Sequence, residues 1–207
     1  MKLIKMNERE YHAHHALGSS DIKQLLTNPH GFRQEKPTSK ALELGSLVHK
    51  LILEPQEFAS SYYVLDNIDR RTKEGKEKYI KALAEAEAEN KEIIDLATFQ
   101  QGKEIAEAFN QSAVSKLIAG GVAEYCAFDE IDGVAVKCKP DYYRSDKKII
   151  IDLKTTSILG GASALNFQKA VANYRYYIQA SLYMQILGAE EFYFIAIETQ
   201  APFMIGV

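Results

Sequence analysis

Cysteine is scarce: the 207 residues hold only Cys126 and Cys138. Two thiols cannot build a disulfide framework, a four-cysteine zinc site or an iron–sulfur cluster. They are expected as buried strand thiols in a reducing cytoplasm. No apolar run approaches the roughly 20 residues that a membrane helix needs, so no membrane segment is expected. The charged start from Met1 to Met6 leads into no long apolar stretch and no cleavage site, which speaks against a secretory signal. No Walker A pattern occurs, so no helicase motor is recognisable in the chain. An excess of basic residues is also missing, because the formal net charge is −3. A protein that passively coats nucleic acid would usually be basic. An enzyme acting on it need not be, since carboxylates can hold a metal while basic residues cluster locally.

What is present suffices for one domain with a substantial core: 46% of residues are hydrophobic. Ser19 and Ser20 precede a short helical stretch, Asp21 to Thr27, stopped at Asn28-Pro29. Thr38 or Ser39 opens a second helix with Leu44, Leu47, Val48, Leu51 and Ile52 at helical spacing, ended by Pro55. A short strand is expected around Ser61 to Leu65. From about 70 to 120 the chain is rich in Ala, Glu and Lys and lacks proline. Helices are predicted there over 73–89 and 99–109, with Thr98 and Gln101 as a capping box, and a third short one before Gly120-Gly121. This stretch reads as a helical insertion, not a second folded domain.

From Val122 the pattern turns to strands. Segments 122–130 and 134–142 flank Asp132-Gly133, a hairpin signal. Lys148 to Leu153 has the continuous apolar run of a central strand. Helices over 163–172 and 176–187, the latter stopped by Gly188, precede a strand over 191–197 and another starting at Phe203. The order predicts an α/β fold, a mixed sheet flanked by helices. The chain stops inside this last element, which reads as a shortened C-terminus.

The strongest chemical constellation is Pro140-Asp141 followed by Asp152-Leu153-Lys154. Strand side chains alternate, so Asp152 and Lys154 emerge on one face with Leu153 opposite. Asp141 can meet them from the neighbouring hairpin strand. Two carboxylates hold a hard divalent cation through oxygen. A lysine beside them can position or activate water and offset phosphate charge, the minimum for metal-assisted phosphodiester hydrolysis. Taken alone, a D-x-K tripeptide is common on strand surfaces. Gly45 and His49 share a helix face, and His49 could reach a metal or phosphate, although a lone histidine there is more often a core residue. Glu124 begins the first hairpin strand and could add a carboxylate. Gln179 and Tyr183 share a face of the later helix, near Tyr174, Tyr176 and Tyr177.

Read in order, G-x-x-x-H at Gly45 to His49, Glu124, P-D at Asp141, D-x-K at Asp152 to Lys154 and Q-x-x-x-Y at Gln179 to Tyr183 resemble the motif series of RecB-family PD-(D/E)xK nucleases. Within them the chain is most similar to RecE-type exonucleases (exodeoxyribonuclease VIII) and their phage relatives. Leu44 to His49 running into Leu53-Glu54-Pro55, Arg70 to Lys73, Cys138 to Asp141, Ile151 to Thr156 and Tyr174-Arg175-Tyr176 add to the likeness. The third motif has Asp152 where many superfamily members have glutamate. The resemblance implies a restriction-endonuclease-like core. It implies that Asp141, Asp152 and the Leu153 carbonyl bind Mg²⁺, for which Mn²⁺ can substitute, and that Lys154 orients the attacking water. His49 and Glu124 would complete the metal site or bind a second ion. Gln179 and Tyr183 would support the site or touch the DNA backbone. It also implies action on double-stranded DNA ends, 5′ to 3′, leaving 3′ single strands for a RecT-like annealing protein, and a homo-oligomer such as a ring. The alternatives are a structure-specific endonuclease and a catalytically idle DNA-binding protein of the same fold.

Two further groups invite a reading. His12, His14 and His15 invite a metal, but a loose polar terminus is the simpler expectation. Arg70, Arg71, Lys73, Lys76 and Lys78 form either a solvated face or a DNA-phosphate track. Lys137 and Lys139 alternate onto the side of Asp141 and are candidates for phosphate contact.

Overall fold

Alternating apolar and polar residues fold the stretch after Val122 around one long β-hairpin. The computed structural model describes residues 2–34 and 39–207. In chain order the elements are β1 (Ile4–Lys5), α1 (Glu8–Ala13), α2 (Ser19–Thr27), α3 (Lys40–Leu53), α4 (Phe58–Ser61), β2 (Tyr62–Leu65), α5 (Lys73–Ala88), β3 (Glu92–Asp95) and α6 (Leu96–Gln111). They continue with β4 (Val122–Ala123), β5 (Tyr125–Ile131), β6 (Val134–Cys138), β7 (Tyr142–Arg144), β8 (Ile149–Thr156), α7 (Ala164–Asn173), α8 (Tyr176–Leu187), β9 (Glu191–Glu198) and β10 (Ile205–Gly206). The chain forms two compact units, Met1–Pro37 with Ser112–Val207, and Thr38–Gln111. No helix among the described residues is long and apolar enough to cross a membrane.

The first unit is the mixed sheet with helices that the sequence predicts. Its larger sheet runs β10-β9-β8-β7-β4 and its smaller one β1-β5-β6. The central strand β8 is parallel to β9, with α7 and α8 in the crossover, and antiparallel to β7. Ile150, Ile151 and Leu153 are buried, as a strand covered on both faces requires. Helix α8 lays Leu182, Ile186 and Leu187 against Ala127, Val136 and Ile150. Each buried leucine or isoleucine contributes roughly 1.5–3 kcal/mol. Gly188, at φ +60, ends α8 in the left-handed conformation that favours glycine.

The hairpin keeps one register along its length but not one ladder. Asp132 and Gly133 both have positive φ, the geometry of a type I′ turn. Ala127 pairs with Cys138 in β5–β6, and Ala123 pairs with Tyr142 in β4–β7. Between these pairs the strand expected over 122–130 breaks at Glu124, which adopts φ +59. Opposite it lies Asp141, and the next residue on that strand is Pro140, which has no N–H to give to a ladder. Val122 to Glu130 holds no glycine or proline to mark the interruption.

The N-terminal histidines are not in a loose terminus. Strand β1 pairs with β5, Tyr11 and Ala16 are buried, and Leu17 exchanges backbone hydrogen bonds with Ala135 and Lys137. The Lys137 ammonium, itself buried, donates to the carbonyls of Tyr11 at 2.6 Å and His14 at 3.0 Å. That replaces its expected role as a phosphate contact. Both cysteines are buried free thiols.

In the second unit α3 starts where Ser39 accepts the Leu42 N–H; Thr38 lies outside the described residues. Gly102 of α6 lets the Leu47 side chain of α3 approach so closely that an added Cβ would lie 2.6 Å from it. The stretch over 70–120 is not wholly helical. Its β3 pairs in parallel with β2, and its last turn, Ala113–Leu117, is a 3₁₀ helix outside this unit. Four-residue strands give too short a pattern to separate from a helix end. In the basic stretch, Arg71 pairs with Asp69 and Lys78 with Glu74, all exposed.

Helix α6 is capped earlier than Thr98. The Asp95 carboxylate accepts the Thr98 N–H at 2.7 Å, which holds its pKa below the ordinary carboxylate value. Asp95→Ala is therefore expected to lower the unfolding free energy by about 1 kcal/mol, and by more than Thr98→Ala does. Urea denaturation of both variants measures this. A larger loss from Thr98→Ala would return the cap to Thr98.

Candidate functional site

Strand β8 carries two of the candidate side chains. Alternation along it puts Asp152 and Lys154 on one side and buries Leu153 on the other. Asp152 has no solvent exposure at all. A buried carboxylate persists only with donors around it. Here Lys154 pairs with one oxygen, and the Gln179 side-chain amide donates to the other at 2.5 Å. The Lys154 ammonium also sits 5.0 Å from the Tyr176 ring centre and 5.9 Å from that of Phe194. Burial works against its charge, but Asp152 and Asp141 prevail and raise its pKa.

Asp141 follows Pro140 at the open end of β7. The last ladder pair of β7 with β8 is Tyr142 with Ile151, so Asp141 comes next to Asp152. Its Oδ2 accepts the Leu153 N–H at 2.7 Å. In an antiparallel pair Leu153 would exchange hydrogen bonds with Pro140, which lacks the donor. The carboxylate takes the N–H instead, and Pro140 has nothing to donate to the Leu153 carbonyl. Glu124, across the interrupted hairpin, donates its backbone N–H to the Asp141 carbonyl at 3.1 Å. Its carboxylate and that of Asp141 approach to within 4.8 Å.

Glu124 is also tied to Lys139 at 2.8 Å, and Lys139 reaches Glu8 at 2.5 Å. Glu8 in turn pairs with His12 at 2.8 Å. The His12 contact, against the cost of burial and with Lys139, holds the Glu8 carboxyl down at about 2. Lys139 was expected at a phosphate; it faces carboxylates instead. Gln179 and Tyr183 are both buried. The Tyr183 phenol is hydrogen-bonded to the side chains of Tyr11 and Ser19, and burial followed by the Asp152 charge raises its pKa.

Seven of the eight expected site residues thus fall in the first unit: Glu124, Asp141, Asp152, Leu153, Lys154, Gln179 and Tyr183. His49 lies on α3 of the second unit, one turn beyond Gly45. Its expected part in the site rests on the motif order. Sequence reasoning missed Glu8, Ser19 and Tyr11 as partners of the site, since each reaches it across more than a hundred residues. The three histidines were the available signal, and their neighbours proved to matter more.

The donor set fits a hard divalent cation. Asp141, Asp152 and Glu124 bring three carboxylates, with Lys154 paired to Asp152 and Lys139 to Glu124. Burial, then the Asp152 charge, with Glu124 adding, pushes the Asp141 carboxyl well above its ordinary value. Such frustration is what a cation relieves, and the three carboxylates offer oxygen, the donor a hard cation takes.

Central β8 and the paired acids beside its end define the restriction-endonuclease-like fold of the PD-(D/E)xK nuclease superfamily. A family model described as a PDDEXK-like domain of unknown function (DUF3799) matches residues 21–207, and the chain belongs to that family. The chain is similar to the crystal structure of a "Putative exonuclease" from Eubacterium rectale, at 17% identity and a TM-score of 0.64, covering 98% of this chain and 76% of that one. That likeness shows a shared fold. A phage-related exonuclease from Haemophilus somnus 129PT matches at 21% identity and a TM-score of 0.36, over 74% of this chain and 66% of that one. No curated protein matches the chain.

The raised pKa of Asp141 has a sign that can be measured. A carboxyl raised by folding binds its proton more tightly in the native state. Metal-free stability then falls as pH rises from the ordinary carboxylate value of 3.8 through the raised one, and the loss is complete above it. Asp141→Asn keeps an oxygen for the Leu153 N–H and removes the charge. It should raise the metal-free melting temperature at neutral pH and flatten the slope between acid and neutral pH. Adding Mg²⁺ or Mn²⁺ should stabilise the wild type and do little for the variant. A variant with the wild-type slope and the wild-type metal response would remove Asp141 from the site.

Proposed function

We propose that this chain is a metal-dependent exonuclease that hydrolyses phosphodiester bonds at double-stranded DNA ends. The convergence of Asp141 on Asp152 and Lys154 of β8 carries the reading. A divalent cation, Mg²⁺ or Mn²⁺, would be held by Asp141 and Asp152 with the Leu153 carbonyl, and by Glu124 in the same or a second position. When bound, it supplies Lewis-acid activation of the phosphate and of water. Lys154 holds the attacking water through its Nζ and offsets phosphate charge. Gln179 fixes the rotamer of Asp152 by its hydrogen bond, and Tyr183 supports it from the buried side. His49 completes the ligand set in this proposal, on the strength of the motif order.

The finer reading is a RecE-type activity: digestion of the 5′-ended strand, release of a 3′ single strand to a RecT-like annealing protein, and a homo-oligomeric ring acting in the cytoplasm. The motif series and the description of the Eubacterium rectale structure support exonuclease over structure-specific endonuclease. Intact Asp141, Asp152 and Lys154 speak against an idle DNA-binding protein.

End-labelled linear duplex and a covalently closed circle, each with Mg²⁺ and with chelator, test these readings together. Only the linear DNA should be digested, only with metal, and a 5′ label should be released before a 3′ label. Asp141→Ala and Asp152→Ala should each abolish digestion. Lys154→Ala should lower single-turnover rate by about a hundredfold or more while DNA binding persists. His49→Ala should weaken metal-dependent activity rather than stability, and the wild type, not the variant, should need more metal as pH falls. Cutting of the closed circle would favour the endonuclease. Full digestion by both aspartate variants would sink the site.

A further inference from the structure

We propose that Tyr174 is a stacking platform for a nucleobase beside the phosphate that occupies the Asp141–Asp152–Lys154 site. The proposal rests on the nuclease reading and adds to it how the strand is held. Tyr174 is 63% exposed. Exposure alone means little, since single apolar residues are common on surfaces. Its surroundings give the exposure meaning. The Tyr174 ring stacks on Tyr176, with centroids 5.5 Å apart and planes 27° from parallel. The same Tyr176 ring lies under the Lys154 ammonium. Two contacts therefore lead from the lysine of the site to an aromatic face open to solvent.

The backbone is built to make that stack. Residues two apart on a helix point in different directions. Tyr174 and Tyr176 meet because α7 ends at Asn173, α8 begins at Tyr176, and Arg175 between them is left-handed at φ 51 and ψ 45. Residues other than glycine adopt that conformation uncommonly. It is fastened on both sides: the Arg175 N–H donates to the Ala172 carbonyl at 3.3 Å, and its guanidinium donates to the Thr27 hydroxyl at 3.1 Å. The Lys23 ammonium lies 5.7 Å from the Tyr176 ring centre. Ammonium groups interleaved with aromatic rings suit a strand that alternates phosphates with flat bases. A base laid on Tyr174 would extend the ring stack outward while its phosphate faces the lysines. Because every base has a π-face, such a platform holds the strand without selecting sequence.

The test uses the full chain and oligonucleotides with 2-aminopurine at successive positions from the end. Binding and fluorescence are read with Ca²⁺, and cleavage with Mg²⁺. One position should be quenched by the wild type and by Tyr174→Trp. Tyr174→Ala should lose that quenching and bind about tenfold more weakly. An abasic residue at the quenched position should weaken wild-type binding by a similar factor and leave Tyr174→Ala indifferent. Tyr177→Ala, at a neighbouring exposed tyrosine, should match the wild type. The proposal is overturned if the wild type quenches no position. It is also overturned if Tyr174→Ala quenches as the wild type does, or if Tyr174→Ala and the abasic residue act additively. Cleavage without Tyr174-dependent quenching removes the platform and leaves the nuclease. Quenching that depends on Tyr174, in a protein that cleaves nothing, leaves the platform and removes the nuclease.

Discussion

A carboxylate shut off from water is among the most demanding groups a fold can contain, and the first unit is arranged around one. Asp152 has no exposure, so each of its oxygens needs a donor, and each has one: Lys154 from its own strand and Gln179 from α8. The Gln179 bond requires α8 to lie across the sheet at one rotation. The apolar face with Leu182 and Ile186 then has to fall on the hairpin and β8. Moving α8 by one residue would carry Gln179 away and leave a buried charge half-satisfied, which costs several kcal/mol. The buried polar contact thereby selects one packing among the many that the apolar residues alone would accept.

The acids opposite are held by interruption rather than by regularity. Pro140 withholds a donor from the ladder, and Glu124 turns through a positive φ. Both strands nevertheless keep the same number of residues, so the register on either side is preserved. The hairpin can therefore pass from one sheet to the other while presenting Asp141 and Glu124 at the gap. The result is a cluster of carboxyls in which burial, followed by the Asp152 charge, pushes the Asp141 pKa up.

How much of this could be read from the chain depended on range. The D-x-K pair was legible because strand alternation is a local rule, and the Asp132-Gly133 turn because two positive φ values need such residues. The α8 boundaries were legible from Tyr176 to Gly188 for the same reason. Glu124 was placed in the right region but inside a continuous strand, since nothing in Val122 to Glu130 announces the break. Lys137 and Lys139 were misread because strand alternation says which side a lysine emerges on, not what waits there. Of their partners, Tyr11, His14 and Glu8 lie more than 120 positions away. The histidines misled in the same way: their neighbours Tyr11 and Ala16 are buried, and only a fold could show it.

That N-terminal segment bears on where the domain begins. The family match starts at residue 21, whereas Tyr11 and Ser19 bond the Tyr183 phenol, and the carbonyls of Tyr11 and His14 receive the buried Lys137 ammonium. A polypeptide cut at the family boundary would keep every motif residue. It would also strip the Lys137 ammonium of its two carbonyl acceptors and the Tyr183 phenol of its two hydroxyl neighbours. The working limit of the folding unit is thus set by the solvation needs of Lys137 and Tyr183, not by the first residue at which relatives can be aligned.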